Sequence, residues 1–373
     1  MKIGILTLHR VKNYGSVLQT YAVSEVLKKK GQSPVVIDYI PERMKPWPDL
    51  LYVRPDRYTT KDGKPNLFKK VVLVAASILP RAYYYNQFRA FISRRVKTTH
   101  KKYYTFESLC NAKFDFDMYM NGSDQIWNMD WENDIDRAYL LGFAPEGKKK
   151  GSFAASFGKN KLTEREINVM GEYLRKYSYI SVRESSGLNI LSNMGIDYGV
   201  HIIDPTLMLT QDDWGKIASK RLVKEKYLLI YQLQPDSELI KYARKIANAL
   251  GLIVVDFCRN FKCGEGVDKN LAFRKPEDFL SAIMYADFVV TDSFHCTAFS
   301  INFNKRFLSL NYYYPERQRS LLEKMGLLDR FIPKNININV CDLAKEIDYF
   351  SVNKKLEEER LLGESFINEM LAM

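Results

Sequence analysis

Lys2-Ile3-Gly4-Ile5-Leu6-Thr7-Leu8, a short and nearly unbroken apolar run, leads into the turn Asn13-Tyr14-Gly15-Ser16 and then into Val17, Leu18, Tyr21, Ala22, Val26 and Leu27 at helical spacing. Gly31 stops that helix, and Pro34-Val35-Val36-Ile37-Asp38-Tyr39 reads as a second buried strand. A strand, a helix and a strand within forty residues form a β-α-β unit, whose two strands must run parallel because the helix carries the chain back to the same edge. This opening commits the chain to an open α/β sheet.

Outward from this unit the rhythm first breaks and then resumes. Residues 41–105 carry Pro41, Pro46, Pro48, Pro55 and Pro65 and then a helical stretch rich in basic and aromatic residues, which reads as an insertion. The alternation returns with strands over Phe116–Met120, Ser152–Ala155, Tyr179–Val182 and Val200–Ile203, and helices over Thr163–Tyr177 and Ser185–Asn193. A second series has strands at Tyr227–Tyr231, Leu252–Phe257, Phe288–Thr291 and Phe307–Leu310, with helices at Ser237–Leu250, Pro276–Tyr285 and Cys296–Asn302. The expected architecture is α/β with two facing Rossmann-like domains, residues 1–203 and 204–350, meeting near Asp204-Pro205 around a cleft. A last helix over 351–373 is expected to fold back across the seam onto the first domain.

The 373 residues exceed a single-domain length, and 46% hydrophobic content suits a packed globular chain. Met1-Lys2-Ile3-Gly4-Ile5-Leu6 is too short an apolar burst, interrupted too soon by His9 and Arg10, for a signal peptide, so a cytoplasmic location is expected. Five cysteines, at 110, 258, 263, 296 and 341, make no even framework and are expected as free thiols. Cys258 and Cys263 lack a second pair of ligands nearby, so no metal is expected.

The net charge of +12 is unevenly placed. Residues 61–104 hold eleven basic residues against one acid, 11 − 1 = +10, which leaves the rest of the chain close to neutral. A polyanion groove through both domains is thereby disfavoured, and no specific nucleic-acid partner is expected. Within that stretch, 67–79 is an apolar run too short for the about 20 residues that span a bilayer. With Tyr83, Tyr84, Tyr85, Phe88 and Phe91 among arginines, it suits either a helix lying on an anionic membrane face or an arm packed on the first domain with a solvated basic side.

Candidate chemistry gathers at strand ends. In Val289-Val290-Thr291-Asp292-Ser293-Phe294-His295-Cys296, an apolar strand ends in polar residues where a helix begins, a place whose amides favour anions. His295 there is either a proton-transfer group or a hydrogen-bonded core histidine. Asp292 and Ser293 either orient it or cap the helix. Cys296, adjacent in sequence at a helix start, points elsewhere than His295 and is a poor nucleophile candidate. Arg183, in Ser181-Val182-Arg183-Glu184, suits a carboxylate or phosphate through two parallel hydrogen bonds, or else pairs with Glu184. Arg317 is a weaker candidate for the same task. Asn121-Gly122-Ser123-Asp124-Gln125-Ile126-Trp127-Asn128 offers an acid, an amide and a ring that suit a sugar, or else a tight turn with a packed tryptophan. The turn holding Asn13, Gly15 and Ser16 is able to cradle an anion, but one glycine is far from a dinucleotide fingerprint.

Taken in order, Gly4-Ile5-Leu6-Thr7 with Asn13-Tyr14-Gly15-Ser16-Val17-Leu18-Gln19, Gly122-Ser123-Asp124-Gln125-Ile126-Trp127-Asn128, Ser181-Val182-Arg183-Glu184, Asp204-Pro205-Thr206-Leu207 and Thr291-Asp292-Ser293-Phe294-His295 resemble the polysaccharide pyruvyl transferase family. The resemblance implies a glycosyltransferase-B-like fold and transfer of a pyruvyl group from phosphoenolpyruvate, a co-substrate with no further cofactor, to a saccharide acceptor as a cyclic ketal in surface polysaccharide synthesis. It places Arg183 on the family's donor-site arginine and His295 on its catalytic histidine. Ser293, Cys296 and Arg317 would then lie at the donor. Asn13, Gly15, Ser16, Asp124, Gln125, Trp127 and Asp292 would hold or support the acceptor. Cys296 stands where the family often has Gly and is expected to crowd the donor. A lipid-linked acceptor would give membrane contact through 61–104 a purpose. The alternatives are a nucleotide-sugar glycosyltransferase of the same fold and a non-catalytic saccharide-binding protein.

Overall fold

The computed structural model describes the whole chain except residues 46–49, 54, 61, 132–134, 235, 259–263, 311–314, 333–344 and 373. Its first sheet holds β1 (Lys2–Leu6), β2 (Ser33–Val36), β3 (Met118–Asn121) and β4 (Lys149–Ser152) in the order β2-β1-β3-β4, all parallel. Parallel bridges from Gly151 to Tyr179 and from Ala155 to Val182 continue it into the two-stranded pair β5 (Ser181–Val182) and β6 (Val200–His201). The helix α1 (Tyr14–Lys29) crosses from β1 to β2 as the opening pattern requires, with Asn13 as its N-cap. In the second sheet β7 (Tyr227–Tyr231), β8 (Ile253–Asp256), β9 (Lys269–Asn270), β10 (Phe288–Thr291) and β11 (Arg306–Ser309) lie in the order β11-β10-β7-β8-β9, again parallel. Every strand of β7 and β10 is buried on both faces, which is why they read as continuous apolar runs rather than alternating ones.

Strand order reverses between β1 and β3 in the first sheet and between β7 and β10 in the second. In open α/β sheets these switch points are where loops diverge and leave a crevice at the carboxyl ends of the strands. One core cluster runs through both halves: Val17 and Leu18 of α1, Phe279 of α7 (Pro276–Met284) and Phe299 of α8 (Phe294–Asn302) belong to it. The Tyr14 ring stacks on Phe279 at 4.8 Å, so the start of α1 is seated directly on the second half.

The insertion contains α2 (Leu67–Arg95), a helix of 29 residues with Pro80 inside it. Its inner end is part of the protein: Tyr84, Phe88, Phe91 and Ile92 are buried, and Phe88 lies 4.9 Å from the Tyr14 ring. Arg94 and Arg95 turn to the buried Glu277 at 3.3 and 3.4 Å, which ties α2 to α7. None of residues 67–83 is buried. The closing helix α10 (Tyr349–Leu371) lies along the seam: Phe366 meets Tyr179 edge-on at 6.3 Å, and Arg360 Nε donates to the Leu207 carbonyl at 2.8 Å. It starts two residues before the expected 351, because Asp348 caps it.

Candidate active site

The two switch points open onto one cleft of about 180 Å3. Leu8, Val11, Asn13 and Ser16 line it from the end of β1, Asp124 and Gln125 from the end of β3, Leu233 from the end of β7, Asp292, Ser293, Phe294 and His295 from the end of β10, and Arg317 from α9 (Glu316–Met325). α9 is held over the cleft from the first half, where the Ser185 amide donates to Ser320 Oγ at 3.1 Å.

His295 sits on the first turn of α8 and is buried, yet its ring reaches the cleft. It packs on Gly15: a Cβ at that position would lie 1.9 Å from His295 Nδ1, so only glycine leaves room for the imidazole. His295 Nε2 faces Asp204 Oδ2 at 3.6 Å, too long for a hydrogen bond. Asp204 is the hub of the site. Its Oδ2 accepts from Arg183 Nη1 and from Ser123 Oγ, both at 2.9 Å, and its Oδ1 accepts from the Thr206 amide and hydroxyl at 2.9 and 2.7 Å. Burial alone would raise its pKa, but His295, Arg183 and Thr206 hold it well below the usual carboxylate range.

Asp124 has a left-handed backbone, φ 77°, which turns its carboxyl back into the cleft. Ser16 Oγ donates to its Oδ2, and Arg183 Nη2 lies 3.6 Å from its Oδ1. Burial works against the charge of Asp124, and Arg183, His295, Ser16 and Arg317 together overcome it, so its pKa lies below the ordinary value. With its carbonyl turned to α9, the Gln125 amide accepts from Arg317 Nη1 and Nη2 at 2.9 and 3.3 Å. Asp292 accepts from the Leu233 and Gln234 amides at 2.6 and 3.0 Å and so joins the ends of β10 and β7; burial nevertheless pushes its pKa up to about 6. Ser293 caps α8 by accepting from the Cys296 amide at 3.4 Å, and Asn13 caps α1 from Gly15 and Ser16 at 2.9 and 3.4 Å. Both helices therefore aim their positive ends at the cleft.

Three expected residues lie away from the cleft. Arg183 is buried and does not line the cleft: its guanidinium pairs with Asp204, reaches toward Asp124 and Glu184, and lies over the Phe294 ring, 4.4 Å from its centroid. It neutralises the acids beneath the site instead of presenting a free fork. Trp127 is also buried, its Nε1 donating to the Tyr139 carbonyl at 3.2 Å, so the ring is core and no platform for a sugar. The Cys296 side chain points into the core, where burial raises its thiol to about 12; it neither crowds the cleft nor offers a thiolate. The remaining expected residues, Asn13, Gly15, Ser16, Asp124, Gln125, Asp292, Ser293, His295 and Arg317, come together. The pattern reading missed two. Phe294 lines the cleft and covers Arg183, while Asp204 was visible only as part of an ordered motif. Cys263 and Cys341 lie outside the described residues, and no cluster of three or more His, Cys, Asp or Glu able to hold a metal occurs among those described.

Solved structures share this architecture at low identity. Arabidopsis thaliana UGT89C1 complexed with UDP-L-rhamnose aligns at TM-score 0.53 and 8% identity, covering 100% of this chain and 98% of that one. The S. aureus MnaA–UDP co-structure aligns at 0.52 and 12%, covering 99% and 95%. They support the fold alone: two Rossmann-like domains facing across a cleft, the glycosyltransferase-B-like arrangement. No protein of curated function matches the sequence. The sequence profile of the polysaccharide pyruvyl transferase family matches residues 13–313, from the α1 cap through β11, and the chain belongs to that family.

Proposed function

We propose that the chain transfers a pyruvyl group from phosphoenolpyruvate to two hydroxyls of a saccharide, forming a cyclic ketal. The observation that carries this reading is the meeting of His295 with the Asp204–Arg183 pair where both switch points open onto one cleft. A carboxylate–phosphate donor suits a site with the positive ends of α1 and α8 and the Arg317 guanidinium around it. In the reaction, a proton is added to the methylene carbon of phosphoenolpyruvate and its central carbon becomes electrophilic. A sugar hydroxyl attacks that carbon and gives up its proton, the bond to phosphate breaks, and a second hydroxyl closes the ring as it too loses a proton. His295 is the group able to give and take these protons, with the Asp204 carboxylate beside it. The acids Asp124 and Asp204 do not repel the donor as free charges would, because Arg183 is paired with them.

The test is incubation with phosphoenolpyruvate and candidate saccharides, free and lipid-linked, with mass spectrometry for a pyruvyl adduct and assay of released phosphate. Adduct and phosphate in equal amounts support the reading. Calorimetric binding of a uridine diphosphate sugar, the kind of ligand held by the structurally similar UGT89C1, with none of phosphoenolpyruvate, would replace it with glycosyl transfer.

A further inference from the structure

No residue of the outer part of α2, before Pro80, is buried: Leu67, Phe68, Val71, Val72 and Leu79 are exposed and Val74 and Ile78 half-buried. Leu67, Val71, Val74 and Ile78 form one row along the helix and Phe68, Val72, Ala75 and Leu79 the adjoining row, so that one broad stripe is wholly apolar. Leu67 is 68% exposed, Phe68 80%, Val71 66% and Leu79 76%. Large apolar side chains massed in this way on a projecting helix mark a surface that is covered in use. Cations rim the stripe: Lys64 and Lys69 are exposed, and Lys70 lies over the Tyr58 ring at 5.4 Å. Among the described residues no helix is long and apolar enough to cross a membrane, which leaves a helix able to lie in an interface.

We infer that the outer half of α2 inserts its Leu67–Phe68–Val71–Val72–Leu79 face into an anionic lipid leaflet, with Lys64, Lys69 and Lys70 at the headgroups. A second copy of the chain fits the charge poorly. A two-fold contact through this stripe would set each lysine rim against its own image, in a segment with eleven basic residues and one acid between 61 and 104. Anionic headgroups neutralise that charge while acyl chains take up the apolar face. Arg94 and Arg95 are not part of the docking face, because Glu277 engages them. The inner half of α2 is fixed against Tyr14, beside the cleft, so docking would hold the cleft at a set distance from the leaflet.

Flotation of the full chain with vesicles tests this independently of any transfer activity. Binding to phosphatidylcholine vesicles containing phosphatidylglycerol, weakened by salt and absent with phosphatidylcholine alone, is the expected result. Phe68→Glu with Val71→Glu should abolish binding, and Lys69→Glu with Lys70→Glu should lower it about tenfold or more. All four side chains are solvent-accessible, so unchanged melting temperatures confirm intact folds. Equal binding to neutral vesicles, no binding, or binding that survives the Phe68→Glu/Val71→Glu pair overturns the inference. A dimer taken apart by that pair, with no flotation of the wild type, assigns the face to a second copy.

Discussion

His295→Ala takes away the imidazole but leaves its helix capped by Ser293, so the expected result is transfer lowered about a hundredfold or more with the melting temperature kept. Gly15→Ala makes the complementary test. Its new methyl must push the His295 ring aside, since the sites of the two overlap at 1.9 Å, while alanine favours the helix itself. The turnover rate should therefore fall together with about 1–3 kcal/mol of stability, since the overlap reaches His295 Cγ and Cβ at 2.2 and 2.7 Å, and a Gly15→Ala enzyme that turns over normally would remove the imidazole position from the mechanism. Arg183 behaves differently because it is buried. Arg183→Ala strands Asp204 and Asp124 as uncompensated charges, and urea denaturation should show a loss of about 3–5 kcal/mol. Arg183→Lys should not restore it, because one ammonium cannot bond Asp204 while lying over the Phe294 ring. At this scale, residue type and position after a strand were enough to place Asp124, Asp292 and His295 at the cleft. They were not enough for Arg183, Trp127 and Cys296, since the direction of a side chain leaving a strand end is set by tertiary packing. Asp204 carries no pattern of its own; its importance comes from four partners, Arg183, Ser123, Thr206 and His295, that are distant along the chain or locally folded around it.

The elements divide between those that local chemistry specifies and those that packing must finish. Tyr227–Tyr231, Phe288–Thr291 and the helix Ser237–Leu250 were readable to the residue, because apolar runs are bounded there by polar turns, by Asp236 as N-cap and by Gly251 in the left-handed region. The strands expected over Tyr179–Val182 and Val200–Ile203 shorten to the two-residue β5 and β6, and β9 carries no readable run, as the pairing of such short strands depends on neighbours brought in by the rest of the sheet. α2 shows both cases in one helix: its existence follows from the run after Asn66, but nothing in the run says that only the inner end is packed. A direct consequence is a large contrast between two phenylalanines twenty residues apart. Phe88→Ala opens a cavity between Tyr14 and Tyr84 and should cost about 3–5 kcal/mol in urea denaturation. Phe68→Ala should change stability by about 0.5 kcal/mol or less, since that side chain is in solvent.

For the whole molecule, the cleft belongs to neither half alone. Asp124 and Ser16 come from the first half and His295, Asp292 and Arg317 from the second, so a ligand that bonds both sets favours the folded, assembled chain over any state in which the halves part. Such a ligand adds about 2.7 kcal/mol of stability at a concentration of 100 Kd. Spread over a chain of this length, that amounts to a rise in melting temperature of about a few degrees, because the unfolding entropy grows with size. Phosphoenolpyruvate should therefore raise the melting temperature in a saturable manner. The variants separate binding from chemistry: His295→Ala should keep most of the shift, since the role proposed for it is to move protons, whereas Arg317→Ala, which removes a guanidinium from the cleft, should lose most of it. A shift kept in Arg317→Ala and lost in His295→Ala would exchange the two roles, and a shift with uridine diphosphate sugars but none with phosphoenolpyruvate would move the chain from pyruvyl to glycosyl transfer on an unchanged fold.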